Sequence, residues 1–212
     1  TILVPEDVLV QATGPLTDVN IGEALATDES GIHSLSNNAP SSFPLGINTI
    51  IWTAVDGAGN MAIASQTVTI QDTIPPKISP LEHITLEAKS SERNIVNIGI
   101  PEITDEVGVI SITNDAPEVF PLGETIVTWT ATDVIGNVST LSQSIHLIDT
   151  VPPRIAFTDN ITLEASSLSE NTIDLVVPES SDEVGVISIT NDAPEVFPLG
   201  ETIVTWTATD SS

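Results

Sequence analysis

Between Thr125 and Thr132 the chain alternates, with Val127, Trp129 and Ala131 on one side and Ile126, Thr128 and Thr130 on the other. Successive strand side chains point to opposite faces, so a period of two predicts a half-buried β-strand. The first side matches Ile50, Trp52 and Ala54 upstream, whereas Ile126 and Thr128 exchange to Thr49 and Ile51. The constrained side is the core face. The same reading places strand A at Ile84–Ala88, B at Ile95–Ile100, C at Val109–Thr113, a short E at Glu118–Phe120, F at Thr125–Thr132 and G at Ser139–Ile148. Turn signals separate them: Pro121-Leu122-Gly123-Glu124 after E, and Val134-Ile135-Gly136-Asn137 between F and G, where Gly and Asn tolerate positive φ. Short strands punctuated by turns about every eight to twelve residues predict an all-β sandwich. No segment predicts a helix.

The pattern recurs. Pro44-Leu45-Gly46, Pro121-Leu122-Gly123 and Pro198-Leu199-Gly200 are 77 residues apart, as are Trp52, Trp129 and Trp206. Asp28, Asp105 and Asp182 keep that step, and so do Asp56, Asp133 and Asp210. Asp72-Thr73-Ile74-Pro75-Pro76 returns as Asp149-Thr150-Val151-Pro152-Pro153, and Asp105–Asp133 is identical to Asp182–Asp210 over 29 residues. Self-similarity at a fixed period marks a repeat architecture. The expected organisation is three repeats at 1–74, 75–151 and 152–212. Together they are read as tandem immunoglobulin-like β-sandwich repeats forming an elongated rod, with short Pro-Pro linkers stiffening the junctions. The third repeat stops just after its Trp strand and lacks a counterpart of strand G. Continuation of the chain beyond Ser212 is the favoured way to complete it, ahead of a strand supplied by another subunit.

Charge narrows the function. Lys and Arg total 4 against 30 Asp and Glu, a formal net charge of −26. Such a field repels nucleic acid and anionic lipid and attracts cations. Disorder is not implied, because 40% of the residues are hydrophobic. Cysteine is absent, which removes disulfides, thiolate nucleophiles and Cys-based zinc sites. No run is long enough for a membrane helix, and Thr1-Ile2-Leu3-Val4-Pro5-Glu6 has no basic region of a signal peptide.

Taken together, Ile84-Thr85-Leu86-Glu87-Ala88, Phe120-Pro121-Leu122-Gly123-Glu124-Thr125, Val127-Thr128-Trp129-Thr130-Ala131-Thr132-Asp133, Gly136-Asn137 and the Asp-Thr-x-Pro-Pro linker resemble the HYR (hyalin repeat) family of immunoglobulin-like domains. The resemblance covers all three repeats and implies an extracellular, cell-surface location with roles in surface structure and adhesion. It suggests a prokaryotic, and among those an archaeal, surface protein. It carries no catalytic residues, and the chain is read as a non-enzyme. Repeat one departs from the pattern: Gln11 stands where Glu87 and Glu164 stand, and Ile47 follows its Pro-Leu-Gly turn in place of Glu.

Candidate chemistry lies in the carboxylates. In a sandwich of this topology the BC and FG loops face the preceding linker, so Asp72 is expected to arrive between Asp105 and Asp133. Asp149 should likewise meet Asp182 and Asp210, with Glu87 pointing to the same junction. Asp28 and Asp56 are the equivalents at the start of repeat one. Converging hard oxygen ligands suit Ca²⁺, and the arrangement resembles the calcium-clamped junctions of cadherin-like tandem domains. The competing reading is that each Asp caps its own turn or is simply solvated. The three tryptophans face the core and are read as packing rather than ligand platforms. His33, His83 and His146 fall on no shared repeat position and are read as surface residues. Asn137-Val138-Ser139 and Asn160-Ile161-Thr162 fit the glycosylation sequon, which makes Asn137 and Asn160 candidate glycan acceptors.

The leading function is therefore a structural repeat region of a surface layer, filament or adhesin stalk, stiffened by calcium at its junctions. Its expected partners are other repeats of the same protein or neighbouring subunits. Two alternatives stay open: an adhesive binding module, and a spacer in a secreted hydrolase. An active site within the repeats is disfavoured, because the constrained polar residues recur in each repeat whereas a catalytic centre is unique.

Overall fold

The structure is a computed structural model and describes residues 1–211. It is all-β, with no helix among the described residues. The first repeat contributes β1 (Ile2–Leu3), β2 (Val8–Gln11), β3 (Leu16–Thr17), β4 (Leu25–Ala26), β5 (Ile32–Asn37), β6 (Phe43–Pro44), β7 (Gly46–Asp56) and β8 (Met61–Gln71). The second contributes β9 (Lys77–Ile78), β10 (Ile84–Glu87), β11 (Ile103–Thr104), β12 (Val109–Asn114), β13 (Gly123–Asp133) and β14 (Val138–Ile148). The third holds β15 (Arg154–Ile155), β16 (Ser180–Ser181), β17 (Ser188–Asn191) and β18 (Trp206–Thr209).

Each of the first two repeats builds one four-stranded sheet, ordered β2-β8-β7-β5 and β10-β14-β13-β12. The hairpin strand β8 pairs antiparallel with β7, Ile50 opposite Gln66 and Trp52 opposite Ala64. On its other edge β8 runs parallel to β2, Val8 opposite Val68. The initial strand therefore changes sheets: β1 pairs with β4, and after Pro5 the chain crosses to β8 as β2. These crossovers give the immunoglobulin-like sandwich. The facing layer is made of short ladders, β1-β4 and β3-β6 in repeat one.

Alternation on the long strands fills the core, with Ile50, Trp52, Val68 and Ile70 packed on Phe43, Ala12 and Ala24. Trp129 is buried like Trp52, so two tryptophans are core residues as expected. Trp206, on the shorter β18, is only half-buried.

Strands A, C, F and G of repeat two form where the alternation places them. Strands B and E do not. Residues 95–100 join no ladder, because Asn97 Oδ1 accepts from Gly99 N at 3.1 Å and Gly99 turns the chain at φ 74°. In place of strand E only Phe120 is paired, through a bridge to Asn94. The Asn94 side chain holds that bridge, donating to the carbonyls of Ser90 at 2.7 Å and Phe120 at 3.1 Å and accepting from Lys89 N at 2.8 Å. Asn171 repeats the arrangement with Ser167 and Phe197.

Compact packing does not follow the repeat boundaries. One unit comprises Thr1–Pro80, Ile100–Asn114 and Thr128–Leu141, and the other comprises Leu81–Gly99, Asp115–Val127 and Ser142–Ser212, of which Ser212 lies outside the described residues. Each unit holds one complete linker. In the first, Val107 of repeat two packs against the core of repeat one.

Candidate metal centre

The linker residue Asp72 follows β8, Asp105 lies between β11 and β12, and Asp133 closes β13. All three fall in the first unit, and each offers a carboxylate oxygen within 4.8 Å of the others. Asp149, Asp182 and Asp210 form the same constellation, with the same spacing limit, in the second unit. The 77-residue step thus carries through to three dimensions.

Local turns fix Asp105 and Asp182 by one oxygen and Asp133 by both. Asp105 Oδ1 accepts from Val107 N at 2.9 Å and Gly108 N at 2.8 Å. Asp182 Oδ1 does the same with Val184 N and Gly185 N. Asp133 Oδ1 accepts from the backbone of Ile135, Gly136 and Asn137 at 2.7–2.9 Å, and its Oδ2 takes the Asn137 side-chain amide at 2.7 Å. Turn capping is therefore real. It does not compete with clustering, because the same fold that caps the turn aims the carboxylates together.

Asp72 is different. Its Oδ1 accepts from Gln11 Nε2 at 2.8 Å and Ile74 N at 3.1 Å. Its Oδ2 is buried with no hydrogen-bond partner, and the residue is only 7% exposed. The equivalent Asp149 Oδ2 is likewise buried and unpartnered. A buried carboxylate oxygen without a donor is costly unless a cation satisfies it. That the same atom is orphaned in both copies ties the feature to the repeat.

The electrostatics of the two kinds of aspartate diverge. At Asp133 burial pushes the carboxyl up, but the Asn137 side chain and the backbone N–H groups of Asn137, Ile135 and Gly136 outweigh it, leaving the group below its ordinary 3.8. Asp149 is raised above 3.8, first by burial and then by the charges of Asp182, Asp210 and Glu87, with only the Val151 N–H opposing. An all-oxygen carboxylate set of this kind fits a hard divalent cation such as Ca²⁺.

The remaining candidates are placed otherwise. Glu87 is not among the converging groups: its Oε1 accepts from Thr150 N and its Oε2 from Thr150 Oγ1, both at 2.8 Å. Gln11 binds the matching Thr73 through Oε1, and its amide additionally donates to Asp72. Asp28 and Asp56 belong to neither cluster. Asp56 caps its turn through Ala58 N, Asn60 N and the Asn60 amide, and Asp28 holds Ser30. Both lie below the ordinary 3.8: Asp56 first through the Asn60 side chain, Asp28 first through the Ser30 hydroxyl. The three histidines are exposed.

Asn137, a turn residue and candidate glycan acceptor in the sequence, also braces the aspartate cluster. Its amide donates to Asp133 Oδ2 and to the Asp72 carbonyl at 3.2 Å, tying the FG turn to the linker. A glycan on that nitrogen would replace one of the two hydrogens in use. Recurrence at 77 residues, Asn60 to Asn137, was the available signal.

No family model matches the chain. It is 31% identical to hyalin of Lytechinus variegatus over 216 residues, covering 91% of this chain and 40% of that protein. That similarity supports a hyalin-repeat-like family. Hyalin of Strongylocentrotus purpuratus is 29% identical over 96% of this chain and 18% of its own length. A sushi, von Willebrand factor type A, EGF and pentraxin domain-containing protein of Rattus norvegicus is 30% identical over 73% of this chain and 5% of its own. The chain thus spans less than half the length of the curated relatives it matches. All three are eukaryotic, so the prokaryotic and archaeal expectation finds no support. The chain is an extracellular or cell-surface segment. No helix among the described residues is long and apolar enough to cross a membrane.

Among solved structures, a protocadherin GammaB4 extracellular domain aligns with 99% of this chain and 43% of its own at 12% identity and a TM-score of 0.34. Clostridium thermocellum CbhA fibronectin(III)-like modules align with 70% of this chain and 95% of theirs at 11% identity and a TM-score of 0.29. Scores this low add nothing to the topology read from the strands.

Proposed function

We propose that the chain is a structural repeat segment of an extracellular, adhesion-related assembly, with repeats at 1–74, 75–151 and 152–212, and that each inter-repeat linker is fixed by one Ca²⁺. The observation that carries this reading is the buried, unpartnered Oδ2 of Asp72 and of Asp149, each converging with two further aspartates. Asp72, Asp105 and Asp133 would hold the first ion, and Asp149, Asp182 and Asp210 the second. Bound calcium supplies the positive charge that three facing carboxylates lack. Glu87 and Gln11 act one step out, positioning the linker through Thr150 and Thr73. The acidic surface keeps such a chain soluble and gathers cations around it.

Hydrogen exchange tests the reading. With calcium the amides of Thr73, Ile74, Thr150 and Val151 should exchange slowly, and with chelator they should exchange faster while β7, β8, β13 and β14 keep their protection. Linker amides indifferent to calcium would remove the ion from the junctions.

A further inference from the structure

The two glycosylation sequons stand in opposite surroundings. In Asn137-Val138-Ser139 the acceptor amide already donates to Asp133 Oδ2 at 2.7 Å and to the Asp72 carbonyl at 3.2 Å. The Ser139 hydroxyl, on which the sequon depends, is buried. Asn160-Ile161-Thr162 is open: all three residues are exposed and lie in irregular backbone after β15. That openness belongs to the position in the repeat. By the 77-residue step Asn160 and Thr162 correspond to His83 and Thr85, both exposed in repeat two, whose sheet has four strands.

A second departure from the repeat accompanies the asparagine. Phe157, three residues before it, is 94% exposed, whereas Phe43, Phe120 and Phe197 are each at most 7% exposed. Repeat two has Pro80 and His83 at these places. Repeat one, in the register that sets Val8–Gln11 against Ile84–Glu87, has Val4 and Asp7. The fold therefore asks for neither an aromatic nor an asparagine here. Exposed aliphatic side chains are scattered over the chain, and single ones need no explanation. The uncovered phenyl ring differs from them, because it arrives together with an acceptor asparagine in the one repeat that has either. A phenyl ring has an electron-rich face, on which the C–H face of a pyranose packs. Three residues span at most about 11 Å of chain, so the first sugar on Asn160 can lie over the Phe157 ring.

We infer that Asn160 is the N-glycan acceptor of this chain, that Phe157 is the platform for the first sugar, and that Asn137 is closed to modification. An extracellular segment with an exposed sequon is a substrate for this chemistry. In the transfer the Asn160 amide nitrogen attacks the anomeric carbon of a lipid-diphosphate-linked oligosaccharide. The N–C bond forms, the C–O bond to the diphosphate breaks, the lipid diphosphate leaves with the electron pair, and one amide proton is released. Nothing is oxidised or reduced. A glycan placed on Asn137 before folding would cost the turn one of its bonds to Asp133 and Asp72, so the folded chain carries none there.

The test secretes the full chain from a eukaryotic cell line and treats it with peptide N-glycosidase in heavy-oxygen water. This converts each glycan-bearing asparagine to an isotopically labelled aspartate. Mass spectrometry should find the label at position 160 and none at 137, and Asn160→Gln or Thr162→Ala should each remove it. In the intact glycoprotein, proton NMR should show the first sugar in contact with the Phe157 ring and its protons shifted upfield. Phe157→Leu should abolish that shift while the label at 160 persists. No label at 160 would overturn the inference, and so would label at 137 in the folded protein. Sugar protons that Phe157→Leu leaves unmoved would overturn the platform.

Discussion

Asp133 and Asp149 show how one residue type takes opposite proton affinities within one repeat architecture. Asp133 is surrounded by donors, and its folded pKa lies below 3.8. The stability it contributes is present above the unfolded value near 3.8 and is lost as pH falls through the folded value. Asp149 has the opposite sign: its raised pKa favours the fold below 3.8, and that contribution is lost as pH rises through the folded value. In calcium-free buffer, acidification from neutrality towards 3.8 should therefore raise the protection of the Val151 amide relative to its intrinsic exchange rate at each pH, whereas in calcium that protection should not rise. Asp149→Asn should abolish calcium binding at the second junction and yet stabilise the calcium-free chain, a combination that melting curves with and without the ion would register. Gln11→Glu breaks the donation to Asp72 and adds a charge to the first junction. It should lower stability without calcium and raise calcium affinity by calorimetry. The aspartates were legible in the sequence because capping and clustering both fix them at the 77-residue step. Glu87 is expected at the second junction from its place near the end of strand A; its charge does act on Asp149, while both of its oxygens are taken by the Thr150 N–H and hydroxyl.

At the scale of the element, the Trp strand and its hairpin partner organise each sandwich. Trp129 is 3% exposed, and Trp129→Ala should cost roughly 3–5 kcal/mol in chemical denaturation. Strands A, C, F and G were readable because their alternation is long or sits beside an unmistakable turn. Asp133 capping and Gly136 at φ 103° make that turn. Strands B and E were not readable, because β-branched residues at 95–100 satisfy a strand pattern while Asn97 and Gly99 turn the backbone out of any ladder. Ile95 and Ile100 end up exposed. Asn94, an ordinary polar residue in the sequence, does the joining instead. Asn94→Ala should leave the Ser90 carbonyl without this donor and the Lys89 N–H without its acceptor, while the backbone bond to Phe120 remains, and should cost about 1–3 kcal/mol by the same assay.

For the whole molecule, the question is whether 30 acidic residues against 4 basic ones are a diffuse cation atmosphere or frame discrete sites. Screening separates the two, since exposed charges are damped beyond about 8 Å at physiological salt whereas partly buried ones are damped much less. Extracellular modules bind calcium with Kd on the order of 10⁻⁴–10⁻³ M, within calorimetric reach. The most direct measurement is a calorimetric calcium titration of the chain at about 0.15 M salt, repeated with Asp72→Asn and Asp149→Asn. Two saturable sites are predicted, one removed by each substitution, with the second junction tighter because Glu87 adds its charge where Gln11 has none. Absent or non-saturating heat, or the same isotherm in both variants, would contradict the account and leave the aspartates as turn caps.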